Sequence, residues 1–142
     1  MPSFTQRTSN LQQIGATIDV VLTPSMNFLQ KMNINPANAK GIKLSAMIDT
    51  GASNTAISKG VFDKLGINPV GTTLINTPSS TNINCNQFNV QIIFPNNVSI
   101  PSIIITEAPL QGQHIQCLIG RDILQYGVLI YNGYDNSFTL SF

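Results

Sequence analysis

Charged side chains are scarce in this sequence. Lys, Arg, Asp and Glu make up 9% of its 142 residues, and the net charge is +1. Proteins that hold nucleic acid electrostatically carry a basic face, whereas the seven Lys and Arg residues here are scattered from Arg7 to Arg121 without a run. No nucleic-acid partner is therefore expected.

Histidine and cysteine are nearly absent as well. The single histidine, His114, lies in a polar stretch, and Cys85 and Cys117 are 32 residues apart. A Ser or Cys nucleophile ordinarily needs a histidine base, and a zinc site needs several close ligands, so neither site has support. Nor do the glycines form a phosphate-binding pattern. We expect no metal, no cofactor and two reduced thiols, with a bridge between the cysteines left open.

Long apolar runs are missing too. No stretch reaches the roughly 18 residues that a membrane-spanning helix needs. The first residues lack the basic and apolar segments of a secretory signal. These absences predict a cytoplasmic protein without a membrane partner.

Short β-forming segments make up most of the chain. Eight to ten such runs, separated by Pro, Gly and Asn turns, and two short helical patterns predict a mainly β fold, a mostly antiparallel sheet or barrel. We expect a single domain over residues 14–142. Residues 1–13, polar and aperiodic, are expected to form a loose arm. Residues 23–40, rich in Asn, are expected to form an insertion loop with one helical turn inside it.

A short helix and a hairpin are predicted in the middle of the chain. Ser58 is expected to cap the helix, and Gly66 to end it. Residues 72–76 and 81–90 are strand-like and are separated by a proline-containing turn, which predicts a hairpin with a polar tip.

Asp49 is a carboxylate delivered by an apolar strand into a glycine turn. Of the six acidic residues, only Asp49 and Asp122 adjoin apolar strands at such turns. Asp is depleted in strand interiors, and burying its charge is costly unless it is hydrogen-bonded. The position therefore suggests that the Asp49 carboxylate takes part in a reaction. A plain Asx turn, in which Asp bonds its own backbone, explains the same residues equally well.

One carboxylate alone is a poor catalyst of amide hydrolysis. The reaction needs a base to activate water and an acid to protonate the amide. Two carboxylates a few ångströms apart share a proton and supply both the base and the acid. Because the chain carries Asp-Thr-Gly only once, a C2 dimer would be needed to bring two copies of Asp49 together on its axis.

A second element favours the chemical interpretation. Asp49–Ala52 is followed about 70 residues later by Leu118–Asp122, two apolar residues and then Gly-Arg-Asp. Together they resemble the retropepsin family, the single-domain aspartic proteases of retroviral type, over roughly residues 42–142. The chain is more similar to the cellular and bacterial members than to the shorter viral enzymes. The resemblance implies a retropepsin-like closed β-barrel, half of an acid protease, with a flap hairpin and one or two short helices, functioning as a homodimer.

The resemblance also implies roles for the Asp-Thr-Gly turn. Asp49 matches the catalytic aspartate. Thr50 matches the residue whose hydroxyl links the two active-site turns across the dimer. The carbonyl of Gly51 is expected to meet the substrate backbone, and Ala52 to line the cleft.

Supporting and lid residues follow from the same resemblance. Leu118–Gly120 is expected beside the catalytic strand, and Arg121 and Asp122 at the start of the helix that braces the site. The hairpin tip takes the place of the flap, the lid over an extended peptide. Its four residues are Thr77, Pro78, Ser79 and Ser80.

Two departures from the viral pattern affect these expectations. Ser53 stands where many viral members have an acid that pairs with the helix arginine, so Arg121 needs another partner. The chain ends in a strand-like segment, Phe138–Phe142, which in viral members builds the terminal sheet of the dimer. That use is a loose expectation here, because the N-terminal arm is longer.

Two functions stay open at this point. The first is an aspartic endopeptidase in which Asp49 carboxylates from two subunits activate a water molecule. The second is a catalytically weak or inactive dimer of the same kind that binds peptides or proteins.

Overall fold

The structure, a computed structural model, describes residues 1–77, 80–110 and 114–142. These residues form ten strands and three short α-helices. The strands are β1 (Ser3–Arg7), β2 (Thr17–Pro24), β3 (Ile42–Ile48), β4 (Ala56–Ser58), β5 (Gly71–Thr77), β6 (Ser80–Ile93), β7 (Ser99–Ala108), β8 (Cys117–Ile119), β9 (Val128–Asn132) and β10 (Ser137–Ser141). The helices are α1 (Leu11–Ile14), α2 (Met26–Lys31) and α3 (Arg121–Leu124), with 3-10 turns at Pro36–Asn38, Phe62–Leu65 and Pro95–Asn97.

Seven strands form a sheet that closes on itself. Their order is β2-β3-β8-β4-β7-β6-β5, and β2 also pairs with β6, so every strand except β5 belongs to a ring. The pairs β3–β8 and β4–β7 are parallel, and the other pairs are antiparallel. The predicted mainly β, closed-barrel architecture is therefore confirmed.

The barrel strands alternate buried and more accessible side chains. In β3, Leu44, Ala46 and Ile48 are buried, and the residues between them are partly accessible. Successive side chains of a strand point to opposite faces, so one face of β3 fills the core. The other face carries Met47 and continues to Asp49.

The remaining three strands form a second sheet in the order β1-β10-β9. All of its pairs are antiparallel. Phe138 and Leu140 of β10 are buried against the barrel. Because β10 is the middle strand, both of its edges are occupied within the chain. In the described part of the chain, β10 therefore offers no free edge to a second copy, and the use of residues 138–142 in the terminal sheet of a dimer stays a prediction.

Residues 1–13 are not a loose arm. Residues 3–7 pair with β10, and Leu11 and Phe4 are buried. The Phe4 ring stacks 6.1 Å from that of Phe94. Only one side chain of β1 faces the core, so this strand leaves no periodic pattern for sequence reading to detect.

Residues 23–40 are more ordered than the predicted insertion loop. β2 continues to Pro24, and α2 follows at once, with Ser25 Oγ accepting the backbone N–H of Phe28 at 3.1 Å as an N-cap. Leu29 of this helix is buried. The single helical turn that was expected is present, and it begins directly at the end of the strand.

The predicted helix after β4 is shorter than expected. Ser58 belongs to β4 and does not cap it; the 3-10 turn spans Phe62–Leu65 and follows Val61. Gly66 ends the turn as predicted, with a left-handed φ of 66° that glycine adopts without steric cost. In the described part of the chain, no helix is long and apolar enough to cross a membrane.

Candidate active site

Asp49 lies at the end of β3 in a tight turn. Its Oδ1 accepts the backbone N–H of Gly51 at 2.9 Å, and its carbonyl accepts that of Ala52 at 3.2 Å. Among the described residues, Oδ2 has no hydrogen-bond partner. The side chain is half-buried, while Thr50 is exposed. The carboxylate is thus fixed at one oxygen and available at the other.

The strand that delivers Asp49 is fixed by a parallel neighbour. Residues 46–48 pair with residues 117–119 of β8, and the backbone N–H of Asp49 donates to Ile119 O at 2.9 Å. Both strands are apolar, and Ala46, Cys117 and Ile119 are fully buried. The turn therefore starts from a rigid part of the core.

The start of α3 is bonded to the same turn. The backbone N–H groups of Arg121 and Asp122 donate to Ala52 O at 2.9 Å and to Ser53 O at 3.1 Å. Arg121 Nη1 donates to the carbonyl of Thr50 at 2.8 Å. The partner that Arg121 needed in place of an acid at Ser53 is thus a backbone carbonyl.

The Asp122 side chain hydrogen-bonds Thr55, in the segment that follows the Asp49 turn. Its Oδ2 accepts the Thr55 backbone N–H at 2.9 Å, and its Oδ1 accepts the Thr55 hydroxyl at 2.8 Å and the Ile123 N–H at 2.9 Å. Hydrogen bonds to a carboxylate are stronger than neutral ones. Asp122 therefore holds α3 against the strand that leaves the Asp49 turn.

Thr55 is the residue that sequence reasoning missed. It is fully buried, and its hydroxyl also accepts the backbone N–H of Gly120 at 3.1 Å. One side chain thereby connects β8, α3 and the Asp49 turn. The only sequence signal was a β-branched hydroxyl residue at the entry to a short strand, which is too common to be distinctive.

A glycine is required at position 120 because the backbone there lies very close to that of Asn54 and Thr55. A Cβ atom there would lie 2.6 Å from the carbonyl carbon of Asn54 and 2.9 Å from the Thr55 nitrogen. Real Cβ atoms do not approach backbone this closely. The glycine of the Gly-Arg-Asp element thus permits β8 to pass next to the Asp49 turn.

Cys117 lies in the same core and is chemically quiet. Burial, with a smaller contribution from the nearby Asp122 carboxylate, raises the pKa of its thiol to about 12. Both cysteines are free and buried. Cys117 thus packs as a small apolar residue.

The accessible face of β3 borders a cavity of about 560 Å³. Met47 lines it and, being two residues before Asp49, lies on the same face of the strand. Ile14 and Ile115 supply further apolar surface, with His114 also in the lining. A second cavity, about 690 Å³, runs along β7 and α3 and includes Asp122. Asp49 is in the lining of neither cavity.

The predicted lid is only partly described. The hairpin strands β5 and β6 form as predicted, with a register irregularity between Ile75 and Thr77. Pro78 and Ser79 lie outside the described residues. Thr77 and the backbone of Ser80 end the two strands. The lid role of these four residues stays a prediction.

The structure thus brings six of the ten predicted site residues together. Asp49, Thr50, Gly51 and Ala52 form the turn, and Arg121 and Asp122 hold it from α3. Within the described ranges, no group of three or more His, Cys, Asp or Glu side chains is arranged to bind a metal ion.

A closed barrel with one Asp-Thr-Gly turn braced by a Gly-Arg-Asp helix defines a retropepsin-like aspartic protease fold. The family model for the gag-polyprotein putative aspartyl protease matches residues 32–126, more than half of the chain. The chain belongs to this family. A comparison with curated protein sequences gives no significant match.

Solved structures agree with this fold. A retropepsin-like aspartic protease from Rickettsia conorii superposes with a TM-score of 0.60 at 15% identity, covering 99% of this chain and 93% of that one. The foamy viral protease-reverse transcriptase, solved with an RNA/DNA hybrid, gives a TM-score of 0.50 at 14% identity, covering 78% of this chain and 12% of that one. At such identities the likeness establishes the fold alone.

Proposed function

We propose that the chain is an aspartic endopeptidase whose active site contains Asp49 from each of two copies. The observation that carries this proposal is the state of the Asp49 carboxylate. One oxygen is oriented by the Gly51 N–H, and the other has no described partner. An ordinary Asx turn would not need the bracing by α3 that holds this one in place.

The proposed chemistry divides acid and base between two carboxylates. Paired closely on a two-fold axis, they share one proton, because both cannot be ionised at that separation. The ionised member takes a proton from water, whose oxygen attacks the peptide carbonyl carbon. The protonated member gives its proton to the carbonyl oxygen, which completes a tetrahedral intermediate. The first member then passes the proton it took from water to the amide nitrogen, the C–N bond breaks, and the second member takes back a proton from a hydroxyl of the intermediate.

The exposure of Thr50 fits a second copy at this position. The residue is exposed, while its backbone carbonyl accepts a hydrogen bond from Arg121 Nη1 at 2.8 Å. An exposed side chain on a fixed backbone is accessible to a second copy. We assign it the contact between the two turns, with Arg121 and Asp122 as positioning residues.

The proposed substrate is an extended peptide that passes across Asp49. The Gly51 carbonyl and the β5–β6 hairpin would bond its main chain, as in strand addition, with the tip residues 77–80 closing over it. The cavity beside Met47, with Ile14 and Ile115, would accept an apolar side chain next to the scissile bond. Ala52 would line the same cleft.

The test is cleavage of a peptide library from about pH 3 to pH 7, the acid side on which carboxyl pairs change protonation. The parent protein is compared with Asp49→Asn, which keeps the size of the side chain and removes its ionisation. We expect cleavage by the parent, enriched for apolar residues at the scissile bond, and none by the variant. Equal cleavage by both would contradict the proposal. Peptide binding by the parent without cleavage at any pH would favour the binding-module function instead.

A further inference from the structure

One edge of β7 is paired along only part of its length. Residues 106–108 pair with β4, whereas in the described part of the chain residues 99–105 have a partner strand only on the β6 side. The unpaired edge borders the cavity of about 690 Å³ that β7 and α3 line. Ligand sites commonly have volumes of about 300–1,000 Å³. The cavity is thus a groove of ligand size between a strand edge and a helix.

The backbone of Ile104 offers a donor and an acceptor at this edge. The N–H of Thr106 donates to Thr55 O at 3.2 Å, so the Thr106 backbone points away from β6. Backbone groups alternate in direction along an antiparallel pair, and the register is regular from residue 104 to residue 106. The N–H and C=O of Ile104 therefore also point away from β6, where no described residue bonds them. Such an edge is a template for another strand.

The walls of the groove are mostly apolar. Ile104 on β7 is 53% exposed, and Tyr126 after α3 is 72% exposed. Ile100, Ile123 and Phe142 supply further apolar surface. Peptides that add to a sheet edge gain affinity from main-chain hydrogen bonds and specificity from pockets for alternate side chains. The groove offers both kinds of contact.

Pro101 limits how long an added strand can be. It has no N–H to contribute, and the register between β7 and β6 shifts beside it, between Val90 and Ile92. Proline and irregular register are features that prevent open-ended pairing of sheet edges. The regular part of the free edge is therefore short, and it suits a short peptide segment better than a long strand.

Asp122 is the only charged side chain in the lining of the groove. Its carboxylate accepts hydrogen bonds from Thr55 and from the Ile123 N–H, and none of these donors carries a charge. Among the described residues, neither of the ion pairs involves Asp122. A half-buried carboxylate without a cation favours a positively charged group on whatever fills the groove.

We propose that this groove binds a short extended peptide segment that carries a basic side chain. The peptide main chain pairs with the N–H and C=O of Ile104, its apolar side chains pack against Ile104 and Tyr126, and its lysine or arginine approaches Asp122. The site is separate from the Asp49 turn, since Asp49 is not in its lining. Binding there goes beyond the proposed peptidase activity and does not depend on it.

The first test changes the peptide and leaves the protein unchanged. The probe is acetyl-Thr-Ile-Lys-Ile-Thr-amide, titrated calorimetrically into full-length Asp49→Asn so that cleavage cannot consume it. We expect a dissociation constant below about 1 mM. Replacing the probe's lysine by glutamate, or methylating its three internal amide nitrogens, should each weaken binding at least about 10-fold. No binding at 1 mM, or equal affinity of all three peptides, would overturn the proposal.

The second test locates the bound peptide. Ile104→Lys places an ammonium group in the groove and should weaken binding at least about 10-fold. The matched control Leu74→Lys adds the same charge on β5, where the parent residue is 64% exposed and outside the groove, and it should bind as Asp49→Asn alone does. Both substitutions are made in the Asp49→Asn chain. Equal affinity of the two lysine variants would place the peptide elsewhere and contradict the proposal.

Hydrogen exchange of the Ile104 amide reports strand addition directly. Saturation with the probe should slow this exchange about 10-fold or more, because the amide becomes hydrogen-bonded. Unchanged exchange with the peptide bound would rule out pairing at this edge. If isopentylamine displaced the probe and the methylated peptide bound as well as the probe, the groove would be a site for small apolar amines, and the peptide proposal would be wrong.

Failure of the groove and failure of the proposed function give different results. Because binding is measured in Asp49→Asn, a groove that binds no peptide leaves Asp49-dependent cleavage by the parent untouched. A parent that never cleaves peptides contradicts the peptidase and leaves peptide binding at Ile104 untouched.

Discussion

The Thr55 hydroxyl is predicted to be the strongest single support of the Asp49 turn outside the turn itself. Thr55→Val keeps the shape of the buried side chain and removes its hydroxyl. The change deletes the 2.8 Å bond to Asp122 Oδ1 and leaves the Gly120 N–H, now 3.1 Å from a methyl group, without an acceptor. The loss is thus one charge-assisted bond and one neutral bond.

The expected loss of stability follows from these two bonds. A hydrogen bond to a charged group contributes about 1.5–3 kcal/mol, and a neutral one about 0.5–1.5 kcal/mol. Because Asp122 keeps its bonds from the Thr55 and Ile123 N–H groups, the carboxylate is not stranded. We therefore expect the free energy of unfolding to fall by about 2–4 kcal/mol.

Urea denaturation measures this quantity, with Thr72→Val as the matched control. Thr72 is exposed on β5, and the control should change stability by less than about 0.5 kcal/mol. If Thr55→Val lost no more than the control, the hydroxyl would not support the site, and the reasoning from this network would be refuted.

Three further predictions concern other parts of the chain. Gly120→Ala should cost at least about 2 kcal/mol in urea denaturation, since its Cβ would meet backbone at 2.6 Å; a parent-like midpoint would contradict the close approach. Leu11→Ala should lower the free energy of unfolding by about 2–5 kcal/mol, as expected for a buried leucine. The same substitution in a loose N-terminal arm would leave it unchanged. Because the pKa of the Cys117 thiol is raised to about 12, the folded protein should react with iodoacetamide at pH 8 far more slowly than the unfolded chain, as mass spectrometry would show. The unfolded thiol has a pKa of about 8.5 and releases its proton above that pH, whereas the folded state keeps it. The free energy of unfolding of the parent should therefore fall as the pH rises above about 8.5. In Cys117→Ala, which lacks the thiol, this fall should be smaller.

The barrel strands and the Asp49 turn could be predicted from the sequence because their signals are local. Apolar runs marked the strands on both sides of the turn. The joint occurrence of Asp-Thr-Gly and Gly-Arg-Asp indicated the family, which the match over residues 32–126 confirms.

The features that were missed depend on distant parts of the chain. β1 buries a single phenylalanine, and its partner strand lies at the other end of the sequence. Thr55 matters only because Asp122 and Gly120 reach it from 65 or more positions away. Among the described strands β9 pairs only with β10, which is likewise a consequence of sheet order that no local pattern encodes.

The central claim is that each active site needs Asp49 from two copies, and a mixing experiment tests it most directly. The parent and Asp49→Asn are combined at constant total concentration, unfolded and refolded together so that copies pair at random, and assayed for peptide cleavage. If both carboxylates are required, activity falls with the square of the parent fraction, to about one quarter in an equal mixture. A fall to only about one half, as for sites that each use one copy's carboxylate, would contradict the account.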